Sequence, residues 1–189
     1  MLLDSYRGQL LVAQPKCVSS FFKETVVLVV RHGPQGAWGV IVNQQIPDRD
    51  CCLADILKHV GMSNDFGIDA PLYVGGPLER NRVAIVHSSD WASASTLEIT
   101  EDLSVTTDLS ILAALAGGQG PANFRACCGI SSWAPGQLEG EMRGEEPWSQ
   151  SHRWLNVPAT HDKIFNVPHE LQWQTNLAEA ITQDVKEWF

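Results

Sequence analysis

The sequence has little basic charge. Of its 189 residues, 13 are Lys or Arg and 22 are Asp or Glu, so the formal net charge is −9. A surface of this sign repels the phosphate backbone of DNA and RNA, and no run of Lys or Arg provides a local basic patch. The sequence therefore disfavours direct nucleic-acid binding, and its acidic balance is typical of a solubilising surface.

Long apolar runs are also lacking. The longest aliphatic stretch covers only residues 26–30, whereas a membrane-spanning helix needs ~20 apolar residues. Residues 1–7 contain neither a basic segment nor an apolar one, so they do not resemble a secretory signal peptide. We therefore expect a cytoplasmic protein with no membrane association, in which residues 26–30 form a buried strand.

Motifs for metals, cofactors and disulfides are missing as well. The cysteines are Cys17 and two adjacent pairs, Cys51-Cys52 and Cys127-Cys128, and this odd set is a poor disulfide framework. No C-x-x-C, H-x-H or H-E-x-x-H spacing predicts a metal site, and no complete Walker A or dinucleotide fingerprint predicts a nucleotide cofactor. We expect no metal and no cofactor. The thiols are expected to pack as small apolar side chains in a reducing compartment, and a redox role for an adjacent pair stays open.

What the sequence does contain is an ordinary globular pattern. Hydrophobic residues make up 44% and charged residues 19%, and the length suits a single domain spanning residues 1–189. Short apolar segments bounded by Gly and Pro predict strands, and a Gly/Pro turn joins the second and third of them into a hairpin. The predicted strands cover residues 9–13, 24–30, 36–43, 72–74, 82–88, 97–100, 104–106, 123–129 and 154–157.

Apolar residues at helical spacing predict the helices. One helix ends near Gly61, one is capped by Thr107 or Asp108, and the last begins near Pro168 and runs to the C terminus. Residues 135–139 are typical of the start of a short helix, and the polar residues 143–153 are predicted to form a loop. Because the strands come in groups with few helices between them, the sequence predicts an α+β protein with a mixed sheet.

Two glycine-containing stretches could carry chemistry. The N–H groups of Gly75 and Gly76 could converge on an anion, although a tight turn that needs positive φ is the favoured interpretation. Residues 129–133 resemble half of a nucleophile elbow, but Trp133 stands where the second glycine belongs. A Ser-His-Asp hydrolase built on Ser131 is therefore disfavoured.

Several polar or aromatic residues are predicted to lie at strand ends and turns, where binding sites tend to form. His32 and His87 each end an apolar strand, and a structural role is the favoured interpretation for both. An indole at a turn could form the wall of a pocket. The candidate ligand-binding residues are His32, Asn43, Gly75, Gly76, His87, Trp133, Gln137 and Glu139.

An ordered set of motifs resembles the AlgH/YqgE family, a group of bacterial proteins without an assigned biochemical activity. The most specific stretch is Trp133-Ala134-Pro135-Gly136-Gln137-Leu138-Glu139-Gly140-Glu141. The resemblance covers almost the whole chain, and it implies a single compact α+β domain with a mixed, barrel-like sheet flanked by helices. The other matching stretches are 8–15, 22–27, His32 with 36–43, 75–77 with 82–87, 106–107, 120–121, Trp154, 164–165 and Trp173.

Some members of the family are labelled transcriptional regulators. Because this sequence shows no helix-turn-helix pattern and no basic face, we expect any regulatory role to be indirect. The first hypothesis is a non-enzymatic protein that binds a small molecule or a protein partner. The alternative is an enzyme of unrecognised type, with a pocket near His32, His87 and Trp133.

Overall fold

The computed structural model describes residues 5–17, 19–47, 51–148 and 154–187, with the side chains of the last helix as far as residue 183. The described residues form a nine-stranded sheet, four α-helices and a π-helical turn, Asp162–Asn166. The strands are β1 (Gln9–Ala13), β2 (Val26–Gly33), β3 (Gly36–Ile41), β4 (Leu72–Val74), β5 (Leu78–Ser88), β6 (Leu97–Glu98), β7 (Leu103–Thr106), β8 (Phe124–Trp133) and β9 (Trp154–Pro158). The helices are α1 (Leu53–His59), α2 (Leu109–Ala116), α3 (Gln137–Arg143) and α4 (His169–Glu187).

The sheet is mixed, as the sequence predicts. Its strands run in the order β6-β7-β5-β8-β3-β2-β1-β9, all antiparallel, and β4 lies parallel to β8. The sheet is open, with β6 and β9 at its two ends, but it curls so that these ends approach each other. The guanidinium of Arg7, next to β1, donates to the carbonyl of Glu98 in β6, and the N–H of His161 donates to Asp102 Oδ2 over 3.0 Å. The sheet therefore curls like a barrel but does not close.

Alternating side chains of the central strands are buried on both faces of the sheet. In β2, Leu28 and Val30 pack into the cluster that also contains Ala180 of α4. Val27 and Val29 face the opposite way and pack with Leu138 of α3. A third cluster joins α1 and α2 to β4, β5 and β8. Because both faces are covered, these strands are apolar throughout, which explains why they read as continuous hydrophobic runs.

Most predicted elements are confirmed, and the differences have local causes. β8 continues to Trp133 instead of ending at Gly129, so residues 129–133 lie in a strand and form no elbow. β5 begins earlier than predicted because residues 79–82 bulge out between the Leu78–Ile130 and Val83–Cys128 pairs. The predicted strand over 97–100 is shorter, and the π-helical turn was not predicted. Residues 149–153 of the predicted loop lie outside the described part of the chain.

The helix ends follow their sequence signals. Asp108 caps α2, and its Oδ1 accepts the N–H of Ser110 over 2.7 Å. Pro168 stands directly before α4, and its carbonyl accepts the N–H of Leu171 over 2.9 Å. Within the described residues, no helix is both long enough and apolar enough to cross a membrane.

Candidate functional site

Four of the eight candidate residues converge at one end of the sheet. β3 lies between β2 and β8, and Ala37 of β3 pairs with His32 on one side and with Trp133 on the other. α3 follows β8 after a short turn and brings Gln137 and Glu139 to the same place. The structure therefore groups His32 with Trp133, Gln137 and Glu139, which come from two separate stretches of the sequence.

A buried carboxylate organises this end of the sheet. Glu141 is 2% exposed, and its Oε2 accepts the indole N–H groups of Trp133 and Trp154, each over 2.9 Å. Its Oε1 accepts from Nε2 of Gln137 over 2.8 Å. Hydrogen bonds to an ionised acceptor are the strong ones, and three donors satisfy the charge. Trp133, Gln137, Glu141 and Trp154 are called the indole–carboxylate cluster below.

His32 and Glu139 lie beside this cluster. Nε2 of His32 is 3.1 Å from Oε1 of Glu139, although its N–H does not point at that oxygen well enough to make a hydrogen bond. Nδ1 of His32 accepts the backbone N–H of Tyr6 over 3.2 Å. The imidazole is buried, with 3% of its surface exposed, so a ligand cannot reach it without displacing its neighbours.

Asn43 ties two segments of backbone together. Its Oδ1 accepts the N–H of Val26 over 2.7 Å, and its Nδ2 donates to the carbonyl of Glu24 over 2.9 Å. Both hydrogen-bonding ends of the amide are used to hold the start of β2. The structure therefore gives Asn43 a structural role, in a place separate from His32.

Gly75 and Gly76 are required by close backbone packing instead of by positive φ. Neither residue has a left-handed φ, so the predicted positive-φ turn is wrong at these positions. A Cβ on Gly76 would lie 2.0 Å from the carbonyl carbon of Ile130 in β8. The N–H of Gly75 already donates to the carbonyl of Cys128 over 2.7 Å. This N–H is therefore not available to bind an anion.

His87 lies at the opposite end of β8 from His32. It pairs with Phe124, the first residue of β8, whereas Trp133, the last residue, aligns with His32 through β3. That separation corresponds to about 30 Å of strand. The structure therefore does not form a pocket that contains His32, His87 and Trp133 together.

The fully buried ring of His87 is satisfied within the protein. Nδ1 lies 2.9 Å from the carbonyl of Ser88 and must donate to it, so neutral Nε2 accepts the hydroxyl of Thr106 over 3.0 Å. Burial is the main cause that lowers the pKa of His87 below its ordinary value. His87 is therefore a neutral structural histidine at pH 7.

A cavity of about 620 Å³ opens between α1, the N terminus of α2 and the bulge at residues 79–82 of β5. None of the eight candidate residues lines it. Leu109, the first residue of α2, precedes the buried stripe formed by Ile111, Leu112 and Leu115. Leu109 and Val60 are 56% and 39% exposed at the cavity. An apolar residue outside a helix stripe is the sequence signal that could have indicated this site. The lining residues are Ile46, Cys51, Asp55, Ile56, His59, Val60, Leu72, Arg80, Asn81, Arg82, Val83, Ile85, Thr107, Asp108, Leu109, Leu112 and Cys128.

The floor of this α1–α2 cavity is apolar. Leu72 and Ile85 are buried beneath it, and the thiols of Cys51 and Cys128 also line it. Burial, and to a smaller extent the neighbouring Cys51, raise the pKa of Cys128. The Cys128 thiol therefore stays protonated near neutral pH and behaves as an apolar group.

The rim of the cavity contains two acids that accept hydrogen bonds and two arginines. Asp55 and Asp108 accept backbone N–H groups at the starts of α1 and α2, over 3.0 and 2.7 Å. The N–H of Cys52 is the main cause that lowers the pKa of Asp55. Arg82 pairs with Glu79 over 3.0 Å. Arg80 has no ion pair within the part of the chain that the structure describes.

Comparison with known proteins places the chain in a family. A family model described as AlgH-like matches residues 10–184. The chain belongs to the AlgH-like family. A UPF0301 protein of Methylococcus capsulatus is 36% identical over 174 residues, which cover 92% of this chain and 90% of that protein. A UPF0301 protein of Allorhizobium ampelinum is 35% identical, covering 84% and 78% of the two chains.

Solved structures agree with the AlgH-like assignment. The solution structure of AlgH from Pseudomonas aeruginosa matches with a TM-score of 0.74 and 29% identity, over 96% of this chain and 91% of that one. Protein DIP2367 of Corynebacterium diphtheriae matches with a TM-score of 0.64 and 22% identity, over 86% and 82% of the two chains, and shares the fold. These matches confirm the predicted family and fold class. The names of these proteins state no activity.

Proposed function

We propose that this AlgH-like chain is a non-enzymatic binding protein whose α1–α2 cavity takes a small molecule with an apolar body and an anionic end. The observation that carries the proposal is the cavity itself, at about 620 Å³. Pockets for small molecules are typically ~300–1,000 Å³, mostly apolar, with a few polar groups that fix orientation. The α1–α2 cavity has this size and this lining.

The apolar body is supported by exposed hydrophobic side chains at the opening. Leu109 and Val60 leave more of their surface to solvent than core residues do. Covering apolar surface contributes roughly 25 cal/mol for each Å² removed from water. A ligand that covers both side chains and reaches the buried Leu72 and Ile85 therefore gains affinity from contact area.

The anionic end is supported by the charges at the rim. Asp55 and Asp108 are bonded to helix N–H groups, and Arg82 is paired with Glu79. Arg80 is left with five donor N–H groups and no carboxylate partner among the described residues. A carboxylate, sulfonate or phosphate on the ligand supplies the matching acceptor.

Binding is favoured over catalysis because the cavity lacks an activated nucleophile. The hydrogen bonds of the described residues join neither cavity thiol to His59, and the thiol of Cys128 is held protonated. We place the protein in the bacterial cytoplasm, where ligand binding would control its association with a protein partner. A net charge of −9 argues that any effect on transcription is indirect.

The test uses two dyes with the same apolar rings. Anilinonaphthalene sulfonate carries an anionic group, and N-phenylnaphthylamine lacks it. We expect the sulfonate to bind the wild-type protein more tightly, and Arg80→Gln to weaken its binding by about tenfold, or roughly 1.4 kcal/mol. Binding of the neutral dye should be unchanged by Arg80→Gln, because that variant keeps the apolar lining. Fluorescence titration measures both affinities.

Matched variants elsewhere on the surface provide the controls. Arg31→Gln removes an exposed cation away from the cavity, and Leu171→Asn removes an exposed leucine on α4 that resembles Leu109 in its exposure. Leu109→Asn should weaken binding of both dyes, whereas Leu171→Asn should not. If Arg31→Gln lowers the affinity as much as Arg80→Gln does, the dye is bound by net charge and the proposal is wrong.

A further inference from the structure

A second cleft, of about 320 Å³, lies at the start of β8, where Asn123, Phe124 and Arg125 line it. It shares no lining residue with the α1–α2 cavity. The two sites are therefore separate. The cleft is lined by Ala70, Pro71, Tyr73, Ala122, Asn123, Phe124, Arg125 and Phe165.

The guanidinium of Arg125 is held in one position. Its Nη1 donates to the carbonyl of Val42 and, over 3.1 Å, to Oε1 of Gln172. Its Cζ lies 4.8 Å from the centroid of the Tyr73 ring, in a cation–π contact. Gln172 is itself fully buried, and its Nε2 donates to the carbonyls of Ile164 and Val167 over 2.8 and 3.0 Å. The cation is therefore preorganised by neutral groups.

The charge of Arg125 has no carboxylate partner among the residues that the structure describes. The residue is 8% exposed, and burial is the main cause that lowers its pKa. Glu170 raises that pKa more weakly, and it makes no ion pair with Arg125 in the described structure. A buried charge is expensive unless it is paired. Most arginines this deep are matched by an acid, so this one requires explanation.

Arg125 lines the cleft and keeps donors that the described residues do not use. Only Nη1 has an acceptor among the described residues. Nε and Nη2 are not sealed in the interior, in contrast to Nε2 of His32. These two atoms are the edge of a guanidinium that binds a carboxylate through two parallel hydrogen bonds.

We infer that this cleft binds a small carboxylate on a flat apolar body, with Arg125 as the anion-binding residue. The anion pairs with Nε and Nη2, and the apolar body lies among Tyr73, Phe124 and Phe165. Aromatic side chains provide this contact at little cost in conformational entropy. The volume of the cleft suits a benzoate-sized molecule.

The test uses benzoate as the probe, with benzamide as its neutral counterpart and inorganic phosphate as a second anion. We expect benzoate to bind the wild-type protein with a Kd on the order of 1 mM. Nuclear magnetic resonance should show shifts confined to backbone amides near residues 70–73 and 122–125. Benzamide should cause none of these shifts. If phosphate binds as tightly as benzoate, the aromatic side chains do not contribute to affinity and that part of the proposal is wrong. If benzamide binds as tightly as benzoate, the cleft is not an anion site and the proposal is overturned.

A pair of variants at the mouth of the cleft avoids disturbing the buried network. Ala122 is exposed and lines the cleft, so Ala122→Asp places a competing carboxylate there, and Ala122→Asn is its neutral control. We expect Ala122→Asp to weaken benzoate binding by about tenfold or more, and Ala122→Asn to leave it near wild type. Arg125→Lys should also lose benzoate binding. Absence of benzoate binding to the wild type, or equal binding by both Ala122 variants, would overturn the inference.

Discussion

The indole–carboxylate cluster and the α1–α2 cavity differ in almost every respect that bears on function. The cluster is built from a distinctive stretch of sequence, it is buried, and its hydrogen bonds are satisfied internally. The cavity is lined mostly by residues outside the matching stretches, and its rim keeps the exposed Leu109 and Arg80, which has no ion pair with the described residues. A distinctive polar motif can therefore mark a folding requirement, while a binding surface shows itself by what it leaves uncovered.

The difference lies in where unsatisfied groups remain. A buried donor that loses its acceptor costs about 1–3 kcal/mol, so Glu141 and its three donors depend on one another for stability. At the cavity, solvent already satisfies the polar groups of the rim. Substitutions should therefore affect mainly stability at the first region and mainly binding at the second.

The largest expected effect is that of Glu141→Leu. This change removes the acceptor of the buried indole N–H groups of Trp133 and Trp154 and of the half-buried amide of Gln137. We expect the free energy of unfolding to fall by about 3 kcal/mol or more, whereas Glu141→Gln, which keeps an oxygen, should cost about 1 kcal/mol. Urea denaturation followed by tryptophan fluorescence measures both. A loss below about 1 kcal/mol for Glu141→Leu would contradict a structural role for the cluster.

An intermediate effect on stability is expected from His87 when the pH is lowered. Its pKa is lowered in the folded protein, so as the pH falls the unfolded chain takes up this proton first, near pH ~6.5. Stability should then decrease with falling pH until the folded-state pKa is reached, by at most about 1.4 kcal/mol per pH unit. The midpoint of urea denaturation measures this loss of stability. It is recorded from about pH 8 to about pH 5, a range that includes the ordinary pKa of histidine.

The variant His87→Gln isolates the contribution of this histidine. An amide offers one donor for the carbonyl of Ser88 and one acceptor for the hydroxyl of Thr106, but it does not titrate. The two proteins are identical at every other residue. The variant should therefore show the shallower dependence on pH, and identical slopes would show that the buried ring does not contribute.

The smallest effect on stability is expected at the cavity rim. Leu109 is more than half exposed, so Leu109→Asn should change the free energy of unfolding by no more than about 0.5 kcal/mol. Chemical denaturation of this variant beside Leu171→Asn measures the difference. A loss above about 2 kcal/mol would show that Leu109 belongs to the core, and the contrast between the two regions would disappear.

Much of the fold could be predicted because it depends on local signals. β1 has the predicted bounds, Gln9–Ala13, and the hairpin of β2 and β3 forms at its Gly/Pro turn. Asp108 caps α2 as its side-chain chemistry indicates. The bulge at residues 79–82 could not be predicted, since it arises from the register between β5 and β8.

The candidate site was predictable only in part, for the same reason. His32 was chosen from one stretch, and Trp133, Gln137 and Glu139 from another. The two stretches meet because β3 joins β2 to β8. Glu141 was not chosen, although it stands four residues after Gln137, on the same face of α3. The cavity depends on how α1 and α2 pack across the sheet, and its local signal is limited to Leu109, which lies outside the buried stripe of α2.

The most direct test of the contrast is one titration with anilinonaphthalene sulfonate on the wild type and three variants: Arg80→Gln, Leu109→Asn and Trp133→Phe. Trp133→Phe removes one indole donor to Glu141 and should lower stability while leaving the affinity for the dye unchanged. Arg80→Gln and Leu109→Asn should weaken binding by about tenfold at near-wild-type stability. If folded Trp133→Phe loses dye binding while the two cavity variants keep it, the binding site lies at the cluster and the account is contradicted.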